Sequence, residues 1–436
     1  MKIKYMLFSL AALLLLSGCF SSDAESLYYI PRASEEFIKL QTKIDEVKAA
    51  GAEYSPPAGG ENRQSVQLVD IDGDGIKEAV AFLRVQAEDN PIKIYIFRNI
   101  DDDYEVADII EGAGTGIESI SYVDMDGDGT MELLVGWQMA GLRHMTLYSE
   151  RGFSHMKIAE TDYTTLTITD LSGDGRPNIA AARIGAAEEP GEVIVFTLMP
   201  DGEVPRASTY FSDGIESISR ISTGRLTDGK PALFLEGKLS GGGIITDVFC
   251  FDGQSLNNIT RAENTAEQGS RTMPVYATDI NGDGNTEVPR TIALPQQSDS
   301  MYYAIEWLAY ESNGDSCVVL STYHNYSDEW YFILPSGWLA RGFTVRREDF
   351  VAGERTLVFS FMNRRGEAED FMKVFTLSGD NREERSHTQG RFLLFEEGDK
   401  LYAAQLLEPS GASPPITQES TIASFKRIYT EWITGT

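Results

Sequence analysis

Nine residues constrain this chain more than any other feature: Asp70-Ile71-Asp72-Gly73-Asp74-Gly75-Ile76-Lys77-Glu78 place acids at alternate positions around two glycines. The arrangement returns at Asp124-Met125-Asp126-Gly127-Asp128-Gly129-Thr130-Met131-Glu132 and at Asp279-Ile280-Asn281-Gly282-Asp283-Gly284-Asn285-Thr286-Glu287. A looser copy is Asp170-Leu171-Ser172-Gly173-Asp174-Gly175-Arg176-Pro177-Asn178. The leading aspartates stand 54, 46 and 109 residues apart, so the last gap spans two intervals. A skipped copy fills it: Thr227-Asp228-Gly229-Lys230-Pro231 aligns with Gly173–Pro177, with the first acids replaced around Gly224 and Leu226. Five units with a period of about 50 residues make a repeat protein.

The chemistry of the pattern is that of a hard cation. Calcium takes six to eight oxygens in flexible geometry. Alternate residues of an extended turn aim side chains at one centre, so positions 1, 3 and 5 supply Asp70, Asp72 and Asp74, then Asp124, Asp126 and Asp128. The third loop offers Asp170, Ser172 and Asp174, and the fourth Asp279, Asn281 and Asp283. Position 7 offers a main-chain carbonyl (Ile76, Thr130, Arg176, Asn285), and position 9 closes the shell (Glu78, Glu132, Asn178, Glu287). Glycine at positions 4 and 6 lets the chain turn without a Cβ clash. A helix–loop–helix calcium hand needs an acid at position 12, where this chain has Ala81, Val135, Ala181 and Arg290. The apolar runs after the loops, such as Leu133–Trp137, suit buried strands instead. Metal-free Asp-Gly turns would explain one loop; four copies at matched offsets argue against that. The first two loops carry four carboxylates each, the Asp279 loop three and the Asp170 loop two. The degenerate copy is expected to bind nothing.

Within each unit a strand, the acidic loop, a short apolar strand and two further strands recur. In the second unit these are Ile117–Val123, Glu132–Trp137, Met145–Tyr148 and about Ser154–Glu160. Four strands in about 50 residues is the size of a propeller blade. Gly116-Ile117-Glu118-Ser119-Ile120-Ser121 recurs verbatim at Gly214–Ser219, a mark of internal duplication. The loops resemble those of the FG-GAP/VCBS repeat family, in which calcium loops lie between blade strands of integrin-type β-propellers. The resemblance covers about residues 63–325. The Phe-Gly and Gly-Ala-Pro tags of that family are not evident here. The expected fold is mainly β: a propeller of about five four-stranded blades with structural calcium, six or seven requiring blades built from the flanks. A small α+β domain over 327–436 follows the propeller of 63–326.

The N-terminus carries an address. Met1-Lys2-Ile3-Lys4, an apolar stretch from Tyr5 to Leu16, and Leu16-Ser17-Gly18-Cys19 form an export signal too short to span a bilayer. The Leu-Ser-Gly-Cys run resembles the bacterial lipobox, which implies a signal peptide over 1–18 and lipidation of Cys19. The expectation is a bacterial lipoprotein, extracytoplasmic and anchored to the cell membrane through Cys19. Residues 19–62 then comprise a tether and a helix capped by Ser34 and stopped by Gly51, with Phe37, Leu40, Ile44 and Val47 on one face. A formal charge of −30 argues against nucleic acid or an anionic surface as partner. Cys250 and Cys317, both in apolar runs, are expected to be two buried thiols.

The four histidines, His144, His155, His324 and His387, form no metal pair, and no nucleophile elbow is evident. A carboxylate pair for glycoside cleavage stays open, because carboxyl separation is a property of the fold. Tyr323, His324, Tyr326, Trp330, Tyr331 and Trp338 belong either to the core or to a sugar platform, the core being preferred. After Pro414-Pro415 a helix is expected from Thr417 with Ile422, Phe425, Tyr429 and Trp432 on one face. The preferred function is binding, with the propeller presented to a protein or glycan ligand. The alternatives are a polysaccharide-acting lyase or hydrolase, and an accessory structural lipoprotein of the envelope.

Overall fold

A computed structural model describes residues 35–428 apart from 87, 101–102, 113, 153, 186–188, 262–269, 298–299, 349–350 and 409–414. The signal peptide, Cys19, Ser34, Tyr429 and Trp432 lie outside the described residues. The chain divides into two compact units: the described part of Met1–Ile120 with Glu150–Met156, and Ser121–Ser149 with the described part of Lys157–Thr436.

The first unit opens on helix α1 (Glu35–Ala49). Leu40 and Ile44 are buried with Ala79, Ala81, Leu83, Tyr95, Phe97 and Tyr104. Phe37, expected on the same face, is 53% exposed. Gly51 ends the helix at φ +103°. Strands β1 (Ala52–Tyr54) and β2 (Val66–Val69) pair end to end along β3 (Glu78–Val85), which continues through β4 (Ile92–Ile100) to β5 (Asp103–Gly112).

Three four-stranded antiparallel sheets follow in chain order. They are β6–β9 (Gly116–Val123, Glu132–Met139, Leu142–Arg151, Ser154–Tyr163), β10–β13 (Thr165–Thr169, Asn178–Arg183, Glu192–Phe196, Arg206–Tyr210) and β14–β17 (Ile215–Arg225, Pro231–Leu239, Ile244–Phe251, Leu256–Asn258). The verbatim hexapeptide opens β6 and β14 as their first strands. The fifth sheet runs β18 (Val288–Ala293), β19 (Tyr303–Tyr310), β20 (Ser316–Asn325), β21 (Trp330–Leu334), with β27 (Phe425–Arg427) added on the outside. The sixth is β22 (Phe343–Arg347), β23 (Glu354–Met362), β24 (Ala368–Ser378), β26 (Lys400–Leu406) and β25 (Phe392–Glu397), in that spatial order. Short helices α2 (Arg382–Ser386) and α3 (Gln418–Ser424) accompany it.

Alternation along a strand explains the apolar runs. In the third sheet Ile179, Ala181, Ile194 and Phe196 pack with Met125, Leu134 and Met145 of the second repeat. Their neighbours Ala180, Ala182, Val193 and Val195 point the other way and pack with Leu233, Leu235 and Phe249 of the fourth sheet. That sheet's other face, Ala232, Phe234, Val248 and Cys250, meets Val288 and Leu308 of the fifth. Strands buried on both faces need apolar residues at every position, which is what the sequence supplies. The fold is mainly β, built of propeller-type blades.

Residues 330–334, placed by sequence with the C-terminal domain, lie in the fifth sheet, where Tyr323 pairs with Phe332 and His324 with Tyr331. The C-terminal helix is shorter than the apolar spacing implies. Thr417 caps it through Ser420 N–H, but it ends at Ser424, and Phe425 enters β27 against Phe332. Phe425 gains a buried aromatic site there, 6% exposed, whereas Ile422 stays 40% exposed. Tertiary burial overrides the helical period. Among the described residues no helix is long and apolar enough to cross a membrane.

Candidate metal centres

The first three acidic loops leave one strand of a sheet and enter the next, the fourth runs from an isolated bridge between Thr278 and Glu287 into β18, and local chemistry shapes all four alike. The glycines at positions 4 and 6 have positive φ throughout: +73° and +88° at Gly73 and Gly75, +79° and +88° at Gly282 and Gly284. This region is open to glycine at little cost. The position-6 amide donates to the leading aspartate, at 3.0 Å for Gly75 to Asp70 Oδ2, 3.1 Å for Gly129 to Asp124, 2.8 Å for Gly175 to Asp170 and 2.9 Å for Gly284 to Asp279. The position-7 amide donates to the position-5 carboxylate, for example Ile76 to Asp74 and Thr130 to Asp128, both at 2.7 Å.

Position 9 reaches back across the loop to the amide of position 2. Ile71 N–H donates to Glu78 at 2.8 Å, Met125 to Glu132 at 3.0 Å, Leu171 to Asn178 at 2.9 Å and Ile280 to Glu287 at 3.1 Å. The position-2 side chains (Ile71, Met125, Leu171, Ile280) are buried. This apolar plug was not singled out in the sequence, although the signal is there: position 2 is apolar in all four copies.

The donor sets of the first two loops converge as a hard cation requires. Oxygens of Asp70, Asp72 and Glu78 lie within 4.8 Å of one another, as do those of Asp124, Asp126 and Asp128. Asp70 Oδ1 and Glu287 Oε1 are buried and accept no hydrogen bond. An unsatisfied buried acceptor costs about 1–3 kcal/mol, more if charged, and a cation would remove that cost. Burial pushes the carboxyls of Glu132 and Glu287 up to about 7 and raises that of Glu78. All side-chain donors at these loops are oxygens, without thiol or imidazole, which suits calcium over softer metals.

Two neighbours escaped the sequence reading. Buried Arg98 on β4 stands 3.4 Å from Asp72 and 2.6 Å from Glu150. In the degenerate copy Asp228 accepts from Ser312 Oγ at 2.6 Å, and Lys230 Nζ donates to the same hydroxyl at 3.0 Å. Neither contact has a local signature, since 52 and 84 residues separate the partners.

The aromatic candidates resolve as core. Tyr323, Trp330 and Trp338 belong to one buried cluster with Phe332, Phe343, Phe359 and Phe371. His324 is buried beside Tyr331 and Trp307, and burial pushes its pKa down to about 3. His155 pairs with Asp108 at 3.1 Å, and His144 with Asp162 at 2.7 Å. Both cysteines are free. Cys250 is buried, but Cys317 is exposed: it lies on β20 beside exposed Val318 and Val319, where no element among the described residues covers the run.

Residues 70–135 match the family model described as an FG-GAP-like repeat, from the first acid of one loop to just beyond the next loop. The chain carries an FG-GAP-like repeat. The matched stretch holds both four-carboxylate loops. No curated protein matches the chain. Among solved structures, the crystal structure of exotype rhamnogalacturonan lyase YesX is 10% identical over 76% of this chain and 84% of that one, with a TM-score of 0.30. At that similarity nothing about a site or an activity carries over from it.

Proposed function

We propose that this protein is a calcium-stabilised binding protein, tethered by a lipid on Cys19 outside the cytoplasm, whose propeller-type blades present loops to a protein or glycan. The observation that carries the calcium part is the pair of buried carboxylate oxygens, on Asp70 and Glu287, that lack any donor. Asp70, Asp72, Asp74 and Glu78 would hold one ion, Asp124, Asp126, Asp128 and Glu132 a second, and Asp279, Asn281, Asp283 and Glu287 a third. The main-chain carbonyls of Ile76, Thr130 and Asn285 would complete the shells. The ion's role is structural: it neutralises acids that the fold has gathered and partly dehydrated. With about 1 mM calcium and a dissociation constant of about 0.1 mM, each site adds about 1.4 kcal/mol. Three independent sites add about 4 kcal/mol, close to the whole stability of a marginal domain.

The test is calorimetric calcium titration and thermal melting of the chain lacking residues 1–19, with and without chelator, followed by incubation with polysaccharides and envelope extracts in calcium. Ion uptake with a rise in Tm, then retention of a ligand without new reducing or unsaturated ends, supports the binding reading. Absence of ion uptake sinks the calcium assignment, and product release makes the protein an enzyme.

A further inference from the structure

The third loop repeats the backbone of the others but not their chemistry. Asn178 stands where they carry glutamate, and it is 1% exposed. Its Oδ1 accepts from Leu171 N–H at 2.9 Å and from Ser172 N–H at 3.3 Å. Only the oxygen of an amide can accept, so the other atom is the NH2 group, which donates to Thr197 Oγ1 at 3.0 Å. The glutamates of the other loops also satisfy the position-2 amide with one oxygen, but their second atom is another oxygen. Asn178 instead offers hydrogens, which repel a cation.

Of the remaining acids of this loop, Asp170 accepts from the same loop amides as the leading aspartates elsewhere, and Asp174 alone is held by a guanidinium. Asp170 Oδ1 accepts from Gly173 N–H at 2.6 Å and Asp174 N–H at 3.2 Å, and Oδ2 accepts from Gly175 N–H at 2.8 Å. Arg176 folds back on Asp174, with Nη2 at 2.6 Å and Nε at 3.1 Å from Oδ2. The side chains of loop 3 therefore sum to one negative charge, against three in the first loop, where Lys77 offsets one of the four acids, and four in the second. Ligand charge is a main determinant of calcium affinity.

We propose that the third loop folds without a metal, and that the Arg176 guanidinium supplies the positive charge that calcium supplies in the other three. The inference deepens the calcium reading of loops 1, 2 and 4 and rests on it for the contrast. The chain then takes up three ions rather than four, and one repeat in the middle of the series keeps its corner when calcium is withdrawn.

The experiment is calcium titration and melting of the natural protein beside D124N, D170N and R176Q. D124N should lower the stoichiometry by one ion, whereas D170N should leave it unchanged. R176Q should lower Tm by a few degrees, equally in calcium and in chelator. Four ions in the natural protein, falling to three in D170N, would overturn the proposal. So would an R176Q protein whose Tm is unchanged, or whose loss is cured by calcium. If the natural protein binds no ion, the calcium reading of the other loops fails, and an equal R176Q loss with and without chelator still upholds the arginine's role in the third.

Discussion

The second repeat and the sixth sheet solve one problem, how to hold the corner of an antiparallel sheet, by opposite means. In the second repeat the corner is Asp124–Glu132, a ring of carboxylates whose oxygens face each other or loop amides. In the sixth sheet rings do the holding: Phe361 lies 4.6 Å from Phe371, Trp338 4.9 Å from Phe371, and Phe343 5.2 Å from Phe359, centroid to centroid. The first device gathers like charges and depends on a solute to neutralise them. The second depends only on water being excluded. On the proposed calcium reading, a chain with both would have stability conditional on calcium in some sheets and unconditional in another.

The largest expected effect breaks the apolar side. Trp338→Ala removes a ring 5% exposed at the centre of the cluster and should cost about 3–5 kcal/mol. Denaturant melts should give the same loss with and without calcium; a calcium-dependent loss would mean that the two regions are not independent.

Acid provides a second separation. His324 has a folded pKa of about 3 because of burial, below the ordinary value of about 6.5. The unfolded chain binds the proton first, so this stability is complete above pH 6.5 and is lost as pH falls towards 3. At pH 5 the loss should be about 2 kcal/mol relative to pH 8. His324→Phe, in a site already lined by Tyr331 and Trp307, should flatten the curve over that range. If the fall persists unchanged, it comes from groups other than His324, the loops included.

A smaller effect sharpens the ionic side. Asp124→Asn removes one charge and keeps a single acceptor oxygen where Asp124 accepts from Gly127 with one oxygen and from Gly129 with the other. A small hydrogen-bond loss common to both conditions is therefore expected beside the larger calcium-dependent one. The variant's melt should drop by the equivalent of about 1.4 kcal/mol in about 1 mM calcium and change little in chelator. An equal drop in both conditions would assign Asp124 a hydrogen-bonding role only. Lastly, a thiol reagent should label Cys317 at once and Cys250 only on unfolding, because Cys250 is packed between the fourth and fifth sheets and burial pushes its thiol up to about 11. Fast labelling of Cys250 would show that this interface opens.

Much of this was legible before any coordinates. The strands expected in the second repeat lie within those found, and their bounds differ by three residues or fewer at each end. That accuracy comes from position-specific chemistry: glycine where φ is positive, carboxylates at alternate positions, apolar residues where both faces are covered. Phe37, Cys317 and the C-terminal helix were misjudged for one reason. Each lies in a locally apolar pattern, and the pattern does not say whether a second element covers it. The candidate sites divide the same way. The oxygen-bearing positions of the acidic loops were readable from spacing, but the contact of Arg98 with Asp72 and Glu150 was not.

Local interactions, repeated with a period, are written in the order of the residues. Hence the repeat, the strand–loop–strand unit and the oxygen-rich corner follow from the sequence. Pairings that close long stretches of chain are not so written, because many partners of equal apolarity compete for each edge. That β27 joins β21, that β26 lies between β24 and β25, and that the amide of Asn178 turns towards Thr197 were decided only when the sheets packed. Burial at that stage chose which polar atoms keep a hydrogen-bond partner and which, like Asp70 Oδ1 and Glu287 Oε1, do not.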